Sequence, residues 1–77
     1  MNYIVTFYSH FGAVRYKKQC DRAGIAARMM PVPRTLSSSC GTCVRCQEEY
    51  LPPDGHEEIE QIVEEADGKM LYQAENR

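Results

Sequence analysis

The chain opens with an unbroken hydrophobic run, Tyr3–Tyr8, in which every residue is aromatic, aliphatic or β-branched. A short run of this composition predicts a strand that is buried on both of its faces. Ser9 is suited to cap a helix, and apolar residues then recur at helical spacing between Phe11 and Ala23. Gly24 fits the left-handed position just past a helix end. The pattern therefore predicts a central strand followed by an amphipathic helix.

The middle of the chain favours two further strands separated by a loop. Ala26–Val32 predicts a second strand, which ends at its prolines. Residues 31–39 contain two prolines, three consecutive serines and a threonine, a composition typical of a loop. Residues 40–46 predict a third strand. Alternation would place one set of its side chains on one face and the rest on the other: Cys40, Thr42, Val44 and Cys46 against Gly41, Cys43 and Arg45.

The last third of the chain predicts a second helix and a final strand. Asp54 with Glu57 three residues later resembles a capping box. Apolar residues at i, i+3, i+4 and i+7 are typical of the buried stripe of a helix, and here they are Ile59, Ile62, Val63 and Ala66. The acidic residues among them would form its solvated face. Gly68 would end this helix, and Lys69–Ala74 would form the last strand.

The order strand, helix, strand, strand, helix, strand predicts an α+β fold of the ferredoxin-like type. Four antiparallel strands would carry two helices on one face, in a single domain spanning residues 1–77. No apolar run approaches the roughly 20 residues that span a bilayer. The N-terminus also lacks the basic start and long apolar stretch of a signal peptide. We therefore expect a cytoplasmic protein with no membrane partner.

Charge is distributed unevenly along the chain, although the formal net charge is only −2. Residues 1–46 carry seven basic side chains and one acidic one, whereas residues 47–77 carry two basic and ten acidic ones. The two halves can attract each other in the fold, or the first half can present a basic face to an anionic partner. The basic residues lack the density and aromatic interleaving of a nucleic-acid site, so no nucleic-acid partner is expected.

Candidate chemistry is concentrated around three of the four cysteines, Cys40, Cys43 and Cys46. Without a signal peptide, such clustering indicates metal, redox or thiol-transfer chemistry before structural disulfides. A nucleophilic thiolate needs hydrogen-bond donors or positive charge nearby. Gly41 leaves space beside Cys40 for a reactant. The residues of suitable type around Cys40 are Arg34, Ser37, Ser38, Ser39 and Arg45.

Two other interpretations of the same cysteines stay open. Cys40 and Cys43 form a C-x-x-C pair, the pattern of a dithiol switch, although a disulfide between them would require a turn in the predicted strand. With Cys46 they form C-x-x-C-x-x-C, which can ligate zinc or an iron–sulfur cluster if the segment loops. Such a site needs a fourth ligand, and the candidates are Cys20, His10 and His56. Cys20 is better explained as a core thiol, and no cofactor is expected.

The segment Pro31–Gly41, with its prolines, Arg34, three serines and Cys40-Gly41, resembles the selenium/sulfur carrier protein-like family of small bacterial and archaeal domains. Residues 3–9 and 23–25 are also similar, so the resemblance covers nearly the whole chain. It implies a protein that carries sulfur or selenium on the cysteine before glycine, Cys40, as a persulfide or perselenide. Donor and acceptor proteins of selenium metabolism and sulfur relay would be its partners.

If Cys40 is the carrier, the residue types near it indicate a role for each. Gly41 and Ser37 to Ser39 would give access and hydrogen bonds, and Arg34 would stabilise the anion and steer docking. Family members commonly have aliphatic residues where this chain has Cys43 and Cys46, and these extra thiols could resolve a Cys40 persulfide as a disulfide.

We therefore expect a sulfur or selenium carrier rather than an independent catalyst. One alternative is a metal-binding or thiol redox module built on the clustered cysteines. A second is a non-catalytic protein-interaction or regulatory domain, a use to which the ferredoxin-like fold is often put. A monomer or weak homodimer is expected, because the edge strands of an open sheet permit pairing and nothing requires it.

Overall fold

The structure, a computed structural model, describes residues 1–75. Its elements in chain order are β1 (Asn2–Phe7), α1 (His10–Ala23), β2 (Ala27–Pro31), β3 (Thr42–Gln47), β4 (Ile59–Glu64) and β5 (Met70–Gln73). The five strands form one sheet in the order β2-β3-β1-β4-β5, and every neighbouring pair is antiparallel. The predicted α+β class is confirmed.

The first half of the chain follows its hydrophobic pattern. β1 lies at the centre of the sheet between β3 and β4, and its residues from Ile4 to Phe7 are buried. The helix α1 begins at Ser9, whose side chain accepts a hydrogen bond from the Gly12 N–H, and ends at Gly24 with a left-handed φ of 77°. Since β3 pairs antiparallel with both β1 and β2, these two strands run parallel on either side of it. β1, α1 and β2 therefore form a split βαβ unit.

Alternation along the strands divides the side chains between two faces of the sheet. α1 covers one face, and the main core lies between them: Val5, Phe7, Ala13, Tyr16, Cys20, Ile25, Val44, Cys46, Ile59 and Ile62. The opposite surface, here called the open face, carries a smaller buried cluster of Ile4, Cys43 and Val63. No helix within residues 1–75 covers the open face, and none is long and apolar enough to cross a membrane.

The predicted second helix is wrong, because its sequence forms turns followed by the strand β4. The sheet consequently has five strands rather than four, residues 1–75 contain one helix rather than two, and a ferredoxin-like topology is not confirmed. The physical reason is an irregularity in the β1–β4 pairing, where Thr6 faces Gln61 but Phe7 faces Ile59. A bulge of this kind inserts one residue into the ladder. Ile59 and Ile62 therefore both reach the main core although they are three residues apart, and their spacing imitates a helix.

The strand β3, which contains two of the candidate cysteines, begins at a different residue from the predicted one. β3 begins at Thr42, two residues later than predicted, so Cys40 and Gly41 lie in a bend outside the strand. Within β3 the alternation is as predicted, with Val44 and Cys46 in the main core and Cys43 on the open face. The last strand is present as β5, slightly shorter than predicted.

Candidate functional site

The connection between β2 and β3, residues 32–41, folds over part of the open face and is here called the cysteine loop. The Val32 N–H donates to the Gly41 carbonyl at 3.1 Å, which closes the base of the loop. The Leu36 N–H donates to the Pro33 carbonyl at 3.0 Å, which makes a tight turn. Val32 and Leu36 pack against the small buried cluster of the open face. The loop therefore shields the apolar part of the sheet that α1 leaves uncovered.

Two polar side chains of β4 hold the second half of the cysteine loop. Gln61 Nε2 donates to the Ser37 carbonyl at 2.6 Å. The Glu60 carboxylate accepts one hydrogen bond from the Ser39 N–H at 3.1 Å and another from its Oγ at 2.8 Å. Hydrogen bonds to a charged acceptor are stronger than neutral ones. These contacts tie the residues just before Cys40 to the sheet.

Cys40 lies at the end of the cysteine loop and is partly exposed. Its N–H donates to Ser38 Oγ at 3.3 Å, and the same hydroxyl donates to the Phe7 carbonyl at the end of β1 at 3.4 Å. A Cβ added at Gly41 would meet no atom within 4 Å. The bend therefore presents a thiol beside open space, on a backbone that is fixed by hydrogen bonds.

Three side chains that could assist Cys40 with a positive charge or a ring nitrogen lie at different distances from the loop. Arg34 lies on the exposed turn of the cysteine loop, and its guanidinium makes no hydrogen bond or ion pair within residues 1–75. His10 Nδ1 lies 3.2 Å from Thr42 Oγ1, which brings the first turn of α1 close to the end of the loop. Arg45 forms an ion pair with Glu65 at 3.0 Å, so its charge is directed to that carboxylate and not to Cys40.

Cys43 is fully buried on the open face at the base of the cysteine loop. Its Sγ donates to the Pro31 carbonyl at 3.7 Å. Burial, followed by the nearby charges of Cys40 and Glu65, raises the pKa of the Cys43 thiol to about 11. Thr6, which faces Cys43 across the β1–β3 ladder, is also fully buried, and its Oγ1 has no hydrogen-bond partner in the described part of the chain.

Cys46 points away from this site, into the main core with Cys20 and Tyr16. Its hydrogen bond with Cys20, followed by burial, raises the pKa of Cys46. Because Cys43 and Cys46 lie on opposite faces of the sheet, the structure does not bring the three cysteines of C-x-x-C-x-x-C together. No group of three or more His, Cys, Asp or Glu side chains among residues 1–75 is arranged to hold a metal ion. Cys20 is fully buried, which confirms it as a core thiol.

Sequence reasoning missed three residues of this site, Thr6, Glu60 and Gln61. In the helical interpretation of residues 54–68, Glu60 belongs to a solvated face, whereas in the structure it holds Ser39. The available signal was the short apolar run from Ile59 to Val63, which is also compatible with a strand. A strand here would have placed polar side chains on the open face beside the loop.

A family model described as "Putative Se/S carrier protein-like" matches residues 2–73 of the 77-residue chain. The matched range includes all five strands, the helix and the whole cysteine loop. No curated protein and no solved structure matches the chain.

Proposed function

The chain belongs to the Se/S carrier protein-like family, and on that premise we propose that it carries a sulfur or selenium atom on Cys40 and passes it to an acceptor protein. One observation supports Cys40 above the other thiols. It is the only partly exposed cysteine of the four, whereas Cys20, Cys43 and Cys46 are buried. A donor protein must bring its sulfur within bonding distance of the carrier thiol, which a fully buried cysteine does not permit.

The transfer steps balance without an added oxidant or reductant. The Cys40 thiolate attacks the terminal sulfur of a donor persulfide, so the donor sulfur–sulfur bond breaks, the donor thiolate leaves and a Cys40 persulfide forms. An acceptor thiolate then attacks the terminal sulfur on Cys40. The Cys40 sulfur–sulfur bond breaks and the Cys40 thiolate is regenerated. A perselenide follows the same sequence with a sulfur–selenium bond.

The surroundings of Cys40 support this role in separate ways. The open space at Gly41 gives a donor or acceptor access to the sulfur. Ser37 and Ser39 tie the loop to β4, which lowers the entropy cost of holding the thiol in place. Arg34 provides an exposed positive charge that attracts anionic partners.

Intact-mass spectrometry after anaerobic incubation with a cysteine desulfurase and cysteine tests this proposal. The wild-type protein should gain the mass of one sulfur atom, and Cys40→Ser should gain none. Cys43→Ala is the matched control, since it lacks a nearby thiol but keeps Cys40, and it should gain the atom. No gain on both the wild type and Cys43→Ala, or an equal gain on wild type and Cys40→Ser, would reject Cys40 as the carrier. A parallel incubation with a selenium donor compares the two cargoes.

A further inference from the structure

Starting from the proposed carrier function, we propose that Cys43 attacks the loaded Cys40, releases its sulfur as hydrosulfide and leaves a Cys40–Cys43 disulfide. A carrier that has not met an acceptor would then discharge its cargo as a small anion. The product released by this internal reaction is inorganic sulfide or, when selenium is carried, selenide.

The placement of the thiols on two faces of β3 selects Cys43 over Cys46 for this step. The Cys43 thiol contacts the Pro31 carbonyl, where the cysteine loop leaves β2. The same base of the loop holds the residue after Cys40, since the Gly41 carbonyl accepts from the Val32 N–H while Cys43 pairs with Met30 of β2. Cys46 lies on the other side of the sheet, packed beside Cys20 under α1. The backbone of β3 therefore separates Cys46 from the loop, while Cys43 shares the open face with it.

The bend before β3 supplies the turn that a disulfide between residues i and i+3 requires. Cys40 and Gly41 lie outside the strand, whereas Cys43 is inside it and pairs with β1 and β2. Gly41 has no side chain, and a Cβ built there would meet no atom within 4 Å, so a rotation of its backbone is opposed mainly by the hydrogen bond between the Val32 N–H and the Gly41 carbonyl. Cys40 can thus turn toward Cys43 without breaking the sheet.

The Thr6 hydroxyl is an independent sign that this part of the open face receives a further hydrogen-bonding group. Thr6 is the direct register partner of Cys43, is completely buried, and leaves its Oγ1 unpaired within residues 1–75. Facing residues of an antiparallel pair have Cβ atoms only about 4.5–5.5 Å apart. A hydroxyl can donate a hydrogen bond to a thiolate. Thr6 is therefore placed to stabilise the Cys43 sulfur when it loses its proton and attacks.

The step is balanced within the protein. The Cys43 sulfur attacks Cys40 Sγ, the bond between Sγ and the terminal sulfur breaks, and that sulfur leaves with the electron pair as hydrosulfide. The proton from the Cys43 thiol goes to the leaving sulfur or to solvent. The Cys43 thiol is oxidised to a disulfide sulfur, the carried sulfur is reduced to sulfide, and Cys40 Sγ exchanges one sulfur–sulfur bond for another. A further round of carriage requires an external dithiol, such as dithiothreitol or a thioredoxin-type protein, to reduce the disulfide.

A time course on loaded protein tests the inference. Wild-type protein is loaded anaerobically with the desulfurase and cysteine, freed of donor by desalting, and followed by intact mass and sulfide release. The mass should fall from one extra sulfur to two hydrogens below the reduced protein, with one sulfide released per molecule. After free thiols are blocked, trypsin cuts at Arg34 and Arg45. This isolates residues 35–45, with Cys40 and Cys43, from Cys46. The internal disulfide should lie in that peptide.

Three variants separate the roles of the neighbouring residues. Cys43→Ala should keep its extra sulfur, whereas Cys46→Ala should release sulfide at the wild-type rate. Thr6→Val keeps the side-chain shape but removes the donor, and it should slow release by about tenfold without reducing loading. The peptide assignment on the wild type does not depend on whether the Cys46 variant folds.

The failures of the two proposals are distinguishable. Normal loading followed by equal sulfide release from wild type and Cys43→Ala would overturn the inference alone. A cross-link between the peptide 35–45 and the peptide that contains Cys46 would do the same. Absence of loading on every variant that retains Cys40 would reject the carrier function and the inference with it.

Discussion

Cys40 and Cys43 are three residues apart in the sequence, and the fold places them in different surroundings. Cys40 is partly exposed in a bend, whereas Cys43 is sealed beneath the cysteine loop with a raised pKa. A protonated, buried thiol is a poor nucleophile toward an external donor. Under the proposed carrier function, an incoming donor would therefore meet Cys40 and not Cys43.

Ionisation of Cys43 predicts how stability depends on pH. Burial raises its pKa from 9.0 to about 11 in the folded protein, while the unfolded chain loses the proton near 9.0. Above that value the unfolded state binds fewer protons than the folded state, so the free energy of unfolding falls as pH rises. The stabilisation is fully present below pH 9 and is lost toward pH 11.

Urea unfolding between pH 7 and about pH 10, with a reductant present, measures this decline. The Cys43→Ala variant should show a shallower decline above pH 9, because one of the thiols that resist ionisation is gone. Tyr16 and Cys46 also have raised pKa values, so some decline should persist in the variant. Identical slopes for the two proteins would contradict the assignment to Cys43.

Gly12 and Gly41 differ in what an added methyl group would meet. A Cβ at Gly12 would overlap the side chain of Glu58, which accepts a hydrogen bond from Ser9 Oγ at the start of α1. We expect Gly12→Ala to lower the free energy of unfolding by about 1–3 kcal/mol, although alanine favours helices. Gly41→Ala adds its methyl group to open space, and its stability should be equal to or slightly above that of the wild type. Denaturant unfolding of both variants checks this, and equal stabilities would contradict it.

At the scale of elements, the hydrophobic pattern predicted the helix and strands whose side-chain spacing is regular from end to end. β1 consists mostly of β-branched and aromatic residues, and α1 has an apolar stripe between its caps Ser9 and Gly24, so both follow from nearby residues. β4 does not, because its bulge depends on pairing with β1, more than fifty residues earlier. The bulge changes the two-residue period of a strand into the three-residue spacing of Ile59 and Ile62. A local pattern cannot distinguish that spacing from a helix.

For the candidate site, the sequence predicted the loop and its nucleophile but not the side chains that hold the loop. Its composition, with prolines, serines and Cys40-Gly41, identifies residues 31–41 as a loop with a candidate nucleophile. The side chains that position the loop, Glu60 and Gln61, lie about twenty residues further along the chain, on a strand assigned to a helix. The separation of Cys43 from Cys46 did follow from the period of a strand.

We expect the contact between the cysteine loop and β4 to control how often Cys40 becomes accessible. Glu60 accepts two hydrogen bonds from Ser39, and Glu60→Ala removes both. We expect alkylation of Cys40 by iodoacetamide at pH 7 to become several-fold faster, while the free energy of unfolding changes by less than about 1 kcal/mol because the pair is exposed. Peptide mass spectrometry of the Cys40 peptide measures the rate.

Glu49→Ala is the matched control for this experiment. Glu49 is an exposed carboxylate between β3 and β4, and it makes no hydrogen bond or ion pair with the cysteine loop in the described chain. Its loss changes the net charge by the same amount as the loss of Glu60. Equal alkylation rates in the two variants would show that charge, rather than the hold on Ser39, controls Cys40.

At the scale of the whole molecule, the basic first half and the acidic last part of the chain lie on opposite sides of the sheet. β2 and β3 from the basic half form one side of the sheet, and β4 and β5 from the acidic half form the other. Within the described residues 1–75, ion pairs that join the halves include Arg45 with Glu65 and the N-terminal amine with Glu48. Attraction between the halves therefore accounts for part of the asymmetry. Arg34, on the cysteine loop, is left without an acidic partner in residues 1–75.

Arg34 is in a position to steer partners toward Cys40. An exposed cation on the reactive loop raises the encounter rate with an anionic surface, and this effect weakens as salt shortens the Debye length from about 10 Å at 0.1 M to about 3 Å at 1 M. We expect Arg34→Ala to slow loading of Cys40 by the desulfurase by about threefold to tenfold at low salt, with little difference at high salt.

The control is Arg22→Ala, which removes the same charge from the last turn of α1, about 20 Å along the helix from the end that approaches the loop. Since the two variants have the same net charge, a slower rate for Arg34→Ala alone means that the position of the cation steers the donor. Equal slowing by both substitutions would contradict this and leave only the overall charge of the molecule.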